Sequence, residues 1–324
     1  MNYRIGLLAG IALAQIVVIG FVLLGGGDDQ RQVVRWLDLQ DRAVTRIIIS
    51  DREAEVEVIN TDGLWSAVSA DGRVPADSDK VTQLLDKLAE LNAPWPVATS
   101  AASAERFAVT DESFQRRVGL YAGDDEVALI FLGTSPGFQR VHARRAESDD
   151  IFSVALSNYE LPVTLDGWLD KGLLGMSAAP QRIALKVMAD ADVADLTLAD
   201  ALLQRSEEGW LINGEAADQA AAETYVNRFK TLQVLGLAEA VDEAPVNLAQ
   251  LTLSGTNDET VLQISTTGEN GDYLVQDMAR AGSFRLAAYI AEQLLMTDTD
   301  FAVDEEPTDV EMGEESGDDW GDDG

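Results

Sequence analysis

Gly133-Thr134-Ser135-Pro136-Gly137 fits the G-x-S-x-G pattern of a hydrolase nucleophile elbow, and the chain's single histidine, His142, follows seven residues after Ser135. An elbow holds its serine on a strand-to-helix turn and draws one oxyanion-hole donor from the backbone N–H of the next residue. Here that residue is Pro136, which has no N–H. The run after it, Phe138 to Arg145, alternates as a strand does. The segment is therefore expected to be a hairpin loop, with His142 on the polar face of the following strand and no catalytic residue assigned.

Arg140, Arg144 and Arg145 form a basic stripe that could take an anion or dock a partner. If the strands pair as consecutive antiparallel neighbours, the acidic tip Asp124-Asp125-Glu126 is expected to neutralise Arg144 and Arg145 locally. Trp65 and Trp210 could stack on a ligand, or could belong to the core beside a strand–helix junction. Carboxylates are too abundant to single out an acid/base pair, and no D-x-D-x-D-G calcium loop occurs. With no cysteine and one histidine, the chain has no Cys/His zinc site, disulfide or thiol nucleophile to offer. No metal or other cofactor is assigned. The 57 acidic residues against 23 basic ones, a net charge of −34, argue against a nucleic acid partner.

These residues need elements to hold them, and the chain reads as one unit used twice. In the first copy, strands over Arg46–Ser50 and Ala54–Ile59 lead through Thr61-Asp62-Gly63 to Leu64-Trp65. Asp77 and Ser78 then open a helix in which Val81, Leu84, Leu85, Leu88 and Leu91 recur at helical spacing. Val118–Ala122 and Val127–Leu132 alternate around Gly123-Asp124-Asp125 as a hairpin, and Phe138–Arg144 and Ile151–Ala155 supply two more strands. In the second copy a helix with Tyr225, Val226, Phe229 and Leu232 follows Trp210. The intervals Trp65 to Val81 and Trp210 to Val226 are equal, which pairs the two helices in register. Val118, Leu120, Leu129 and Phe131 correspond to Leu251, Leu253, Leu262 and Ile264 at a constant offset, and Phe152 corresponds to Phe284. An extra helix is expected around Leu198 to Leu203.

At the other end of the scale, Ile5 to Leu24 is an uncharged apolar run of about 30 Å at 1.5 Å per residue, the thickness of a bilayer core. It is longer than the apolar part of a cleaved signal peptide, so it reads as a retained anchor. Arg4 on one side and Arg31, Arg35 and Arg42 on the other leave orientation open on charge alone. Gly6 and Gly10 form a GxxxG pattern that could let two such helices meet as a homodimer. From Thr297 onward there are thirteen acidic residues and no basic one, which reads as a solvated tail.

The Gly63-Leu64-Trp65 strand end, the Pro75-Ala76-Asp77 lead, the Val81 to Leu91 helix and Asp170-Lys171-Gly172-Leu173-Leu174 together resemble the bacterial domain of unknown function 4340. The second copy lacks the Pro-Ala-Asp lead and the closing lysine. The resemblance implies a single-pass inner-membrane protein with its repeats in the periplasm, often encoded beside ABC-transporter components of the gliding-motility type. It brings no catalytic residues. The expectation is an α+β protein: an anchor in residues 1–27, α+β repeats in 28–178 and 179–296, each a helix on a mainly antiparallel sheet, and a disordered acidic tail in 297–324. Its expected role is a non-enzymatic, membrane-anchored accessory or scaffold of an ABC-type complex. The alternative is a periplasmic binding module for a glycan or peptide, using the groove between the repeats.

Overall fold

A computed structural model describes residues 35–39, 42–93, 95–188, 198–238, 244–256, 258–267, 272–295 and 297–303. The span Ile5 to Leu24, with Gly6 and Gly10, and the acidic stretch after Val303 lie outside the described residues. Among the described residues, no helix is long and apolar enough to cross a membrane. They form an α+β structure with two antiparallel sheets and four α-helices. Contacts divide the chain into two compact units. One holds the chain to Val68 and Ala76–Trp168, the other Ser69–Pro75 and Leu169 onward.

The first sheet comprises β1 (Arg46–Ser50), β2 (Glu55–Thr61), β3 (Leu64–Ser69), β4 (Gly72–Pro75), β5 (Arg116–Ala122), β6 (Asp125–Leu132), β7 (Val141–Arg145) and β8 (Ile151–Val154). Helices α1 (Ser78–Glu90) and α2 (Ala101–Phe107) fall between β4 and β5. The spatial order is β4-β3-β2-β1-β5-β6-β7-β8. The second sheet comprises β9 (Arg182–Val187), β10 (Ala201–Ser206), β11 (Gly209–Ile212), β12 (Glu215–Ala216), β13 (Gly236–Leu237), β14 (Val246–Ser254), β15 (Glu259–Thr267), β16 (Asp272–Asp277) and β17 (Phe284–Leu286). Helix α3 (Gln219–Arg228) follows β12 and α4 (Ala288–Leu294) follows β17. The order β12-β11-β10-β9-β14-β15-β16-β17-β13 repeats that of the first sheet, with β13 added at one edge.

Register shows how far the copies correspond. Ile47 pairs with both Val58 and Leu120, and Ile183 with both Leu203 and Leu253. Leu120 thus answers to Leu253 and Val118 to Leu251, as the sequence spacing suggests. One strand further on the constant offset slips. Val118 faces Ile130, whereas Leu251 faces Leu262, so Leu262 answers to Ile130 and not to Leu129. Leu129 points to the other face, where it packs against a cluster of Ala104, Val109, Phe131 and Ile151 that α2 covers. The shorter offset then holds to the edge: Ala143 pairs with Phe152 as Val275 pairs with Phe284.

The hairpin turns carry their own signature. Asp62 and Gly63 both have positive φ (53° and 88°), as do Asn213 and Gly214 (51° and 93°). Two successive positive φ values make the mirror-image turn whose twist matches that of the paired strands, and Asp-Gly and Asn-Gly reach it at least cost.

The two longer helices, α1 and α3, begin in the same way. Asp77 caps α1 by accepting from Lys80 N–H, and Asp218 caps α3 by accepting from Ala221 N–H. The residue before each cap donates to its tryptophan: Ala76 N–H to Trp65 O and Ala217 N–H to Trp210 O, both at 3.0 Å. Each cap's own N–H is taken by the last aromatic residue of its unit's repeat, Asp77 by Trp168 O at 2.8 Å and Asp218 by Phe301 O at 3.0 Å. Counted from the caps, Val81, Leu84 and Leu88 answer to Ala222, Tyr225 and Phe229. The equal Trp-to-valine intervals therefore do not mark equivalent positions. The β3–β4 hairpin is four residues longer from Trp to cap than β11–β12, and the two differences cancel.

Two further expectations are corrected. Leu198 to Leu203 is no extra helix: β10 takes Ala201 to Ser206, with Ala201 and Leu203 buried and Leu202 and Gln204 only half-buried, a period of two. It is the counterpart of β2. The tail does not start at Thr297 either. Asp298–Phe301 is a 3₁₀ turn, and Phe301 is buried with its ring 5.4 Å from that of Tyr225. Its apolar side chain ties this segment into the second unit's core.

An N-cap aspartate contributes about 1 kcal/mol, and truncating a buried phenylalanine costs about 3–5 kcal/mol. Asp77→Ala and Asp218→Ala should each lower the urea midpoint slightly, and Phe229→Ala much more. Equal midpoints for wild type and both cap variants would show that these caps carry no stability.

Candidate functional site

Neighbouring strands in an antiparallel sheet run in opposite directions, so the end of β1, the start of β5, the end of β6, the start of β7 and the end of β8 all come to one end of the first sheet. The loops there border an open cleft of about 780 Å³, reached by Asp51–Glu53, Phe114–Arg116, Ser135, Gly137–Val141 and Ser157–Tyr159. Phe138 and Tyr159 stand on it at 89% and 95% exposure. Arg52, Arg116 and Arg140 outnumber Asp51 and Glu53, in a chain that is otherwise strongly acidic.

The lining is held in place from within. Asp51 accepts from Glu53 N–H and Ala54 N–H, both at 2.9 Å, and its carboxylate lies 3.3 Å from Arg116 Nη1. These backbone donors first, and Arg116 after them, keep its carboxyl below the usual range. Arg116 also donates to Leu161 O at 2.9 Å, and Arg140 donates to Ser153 Oγ at 2.9 Å and to Ser153 O. Each guanidinium has five N–H donors, so edges remain for a ligand. Exposed aromatic faces beside guanidinium and amide groups can stack on a sugar ring or an apolar side chain while the polar groups fix hydroxyls or carboxylates.

The G-x-S-x-G segment is the β6–β7 hairpin loop. Ser135 Oγ donates to Gly137 O and Arg140 O, both at 2.7 Å, which folds the loop on itself. Gly133 is required by close approach, because a Cβ there would lie 2.0 Å from Phe107 O. His142 is not on a polar face. It is buried, its Nδ1 lies 2.9 Å from Thr134 Oγ1, and its ring stacks 4.0 Å from that of Phe107. Helix α2, absent from the sequence-based expectation, covers that face. Burial holds the imidazole below the usual histidine range, opposed by the Thr134 backbone and reinforced by Arg106.

Of the basic stripe, only Arg140 lines the cleft. Arg144 is 8% exposed, and its Nε donates to Val109 O at 2.6 Å. Its Nη1 reaches the carbonyls of Arg145, Ala146 and Ser148 at 3.2–3.4 Å, and its guanidinium lies 5.0 Å from the centre of the Phe131 ring. The acid partners are Asp111 for Arg144 (3.7 Å) and Glu147 for Arg145 (3.5 Å), not the Asp124-Asp125-Glu126 tip. The register sets this: Arg145 faces Ile130, well along β6 from the tip.

Trp65 and Trp210 are both buried in their units, at 7% and 2% exposure, and the indole N–H of Trp210 has no acceptor. They serve as core. Tyr225, in the second unit, donates its hydroxyl to Leu294 O at 2.7 Å, and burial pushes its pKa well up. Among the described residues, no group of three or more His, Cys, Asp or Glu side chains could hold a metal ion. Phe138 and Tyr159 went unremarked in the sequence because single exposed aromatics leave no periodic signal. The sequence spacing put Phe138 at the start of a strand over Phe138–Arg144, whereas β7 begins at Val141 and Phe138 lies in the loop before it.

The family described as "Domain of unknown function (DUF4340)" matches residues 65–251, more than half of the chain, from Trp65 in β3 to Leu251 in β14. No curated protein and no solved structure matches it.

A histidine whose folded pKa lies below its unfolded value takes up a proton on unfolding. Its contribution is whole above about pH 6.5 and lost as pH falls toward the folded pKa. The melting temperature of wild type should therefore fall more steeply than that of His142→Asn as pH drops from 7 to 5. Parallel curves would mean that the buried ring does not resist protonation.

Proposed function

The chain belongs to the DUF4340 family, and on that basis we propose that it is a non-enzymatic accessory or scaffold protein, held in the inner membrane by Ile5 to Leu24 with its repeats in the periplasm, and associated with an ABC-type transport complex. The observation that carries this reading is the duplicated sheet module. Its buried Arg144 gathers loop carbonyls and its buried His142 is locked under α2, while the half-buried Asp77 and Asp218 cap helices, so these polar side chains serve the fold. A pair of rigid modules on an apolar anchor suits a part that holds other proteins in position. The apolar run Ile5 to Leu24 supports the anchor, and the motifs shared with the family support the periplasmic side and the transporter partners.

Protease added to spheroplasts should digest the repeats from outside, and transporter permease or ATPase subunits should be retained with the gently solubilised protein. Protection from external protease would place the repeats in the cytoplasm. Exposure with no transporter subunit above background would remove the accessory role.

A second reading, a binding module for a glycan or peptide, is favoured by the cleft of the first unit, where Phe138 and Tyr159 are exposed beside three arginines. Phe138→Ala and Tyr159→Ala should leave the unfolding free energy within about 0.5 kcal/mol of wild type, as exposed positions do, and abolish retention on immobilised periplasmic glycans or peptides. Unchanged retention in both variants would exclude the cleft as the site.

A further inference from the structure

A second exposed apolar group lies at the other end of the first unit. After α1 the chain runs Leu91-Asn92-Ala93-Pro94-Trp95-Pro96-Val97, and Trp95 and Val97 are 82% and 50% exposed. The backbone on either side of these side chains is fixed. Leu91 O accepts from Trp36 N–H at 2.8 Å, Arg35 bridges Asn92, and Val97 N–H donates to Ile151 O at 2.7 Å. A large aromatic side chain held outward by a pinned backbone is presented to something rather than left over from packing.

The segment that pins the start of this loop, beginning at Arg35, is also the one that follows the apolar span in sequence. Trp36, Leu37 and Leu39 are buried in the unit, so the chain is fastened to it from Arg35 onward. Ten residues, beginning Gly25-Gly26-Gly27, separate Leu24 from Arg35. Even fully extended, ten residues reach at most about 33–36 Å. The point where the chain joins the unit, with Trp95 three residues from Asn92, therefore lies within that reach of the end of the span. Tryptophan favours the membrane–water interface, where its ring is sheltered and its N–H stays wet.

We infer that the Trp95–Val97 loop seats in the interfacial layer of the bilayer that holds the anchor, so that the first unit stands on the membrane by two contacts and presents its cleft away from the surface. The second half follows from the sheet. Val97 is bonded at Ile151, where β8 begins, whereas Ser157 to Tyr159 of the cleft come after β8 ends. This inference rests on the anchor reading of Ile5 to Leu24.

The cysteine-free chain permits a clean test. Full-length Trp95→Cys, Val97→Cys and Tyr159→Cys, each carrying an environment-sensitive fluorophore, are reconstituted into vesicles of phosphatidylethanolamine and phosphatidylglycerol containing a spin-labelled lipid quencher. Labels at 95 and 97 should be quenched several-fold more than the label at 159. Two positions guard against a single variant disturbing the loop, and circular dichroism of each checks its fold. Protein that floats with the vesicles yet shows equal quenching at all three positions would overturn the seating and leave the anchor standing. Protein that fails to float with them would overturn the anchor, and the seating with it.

Discussion

The two modules depend on one arrangement at the start of their central helices. An aspartate side chain caps the helix, the preceding residue is tied to a buried tryptophan's carbonyl, and the aspartate's own N–H is taken by an aromatic residue far along the chain. The N-terminal turn of a helix leaves N–H groups without intrahelical partners, and an interior position makes each of them costly. This arrangement answers that demand and at the same time sets where the hairpin, the helix and the module's last segment must lie. The backbone carbonyls of Trp65, Trp210, Trp168 and Phe301 make these bonds, and all four side chains are buried beside them.

The same economy of polar groups explains the basic stripe. Arg144 could have been a docking residue on sequence grounds. The loop around Arg145 to Ser148 turns several carbonyls inward, and one guanidinium satisfies them while lying over Phe131. His142 likewise fills a slot between Thr134 and Phe107. What is left for recognition is what the fold does not consume: the faces of Phe138 and Tyr159 and the outer edges of Arg52, Arg116 and Arg140.

Much of the scaffold was legible because repetition doubles each signal. Paired tryptophans, the correspondence of Val118 and Leu120 with Leu251 and Leu253, and that of Phe152 with Phe284 all reflect equivalent places in the sheets. Spacing failed where lengths compensated, as in the hairpins after Trp65 and Trp210. It also failed where an element was too short to show a period. Helix α2 has seven residues, and its start is marked only by Ser100. β10 was misread because a leucine pair suits a helix as well as a strand until Ile183 and Ile212 are seen on either side of Leu203. The cleft was legible only as loops. The convergence of those loops is a property of strand order, which no local pattern states.

The aromatic residue that closes each helix start is the last of its module in chain order: Trp168 lies 91 residues after Asp77, and Phe301 lies 83 after Asp218. A ribosome emits the chain from the amino end, at about 5–20 residues per second. The carbonyl that latches each helix start is therefore made several seconds after the aspartate it must reach. The first can close before the second helix has emerged, so biosynthesis separates in time two similar sheets whose strands could otherwise pair with the wrong copy.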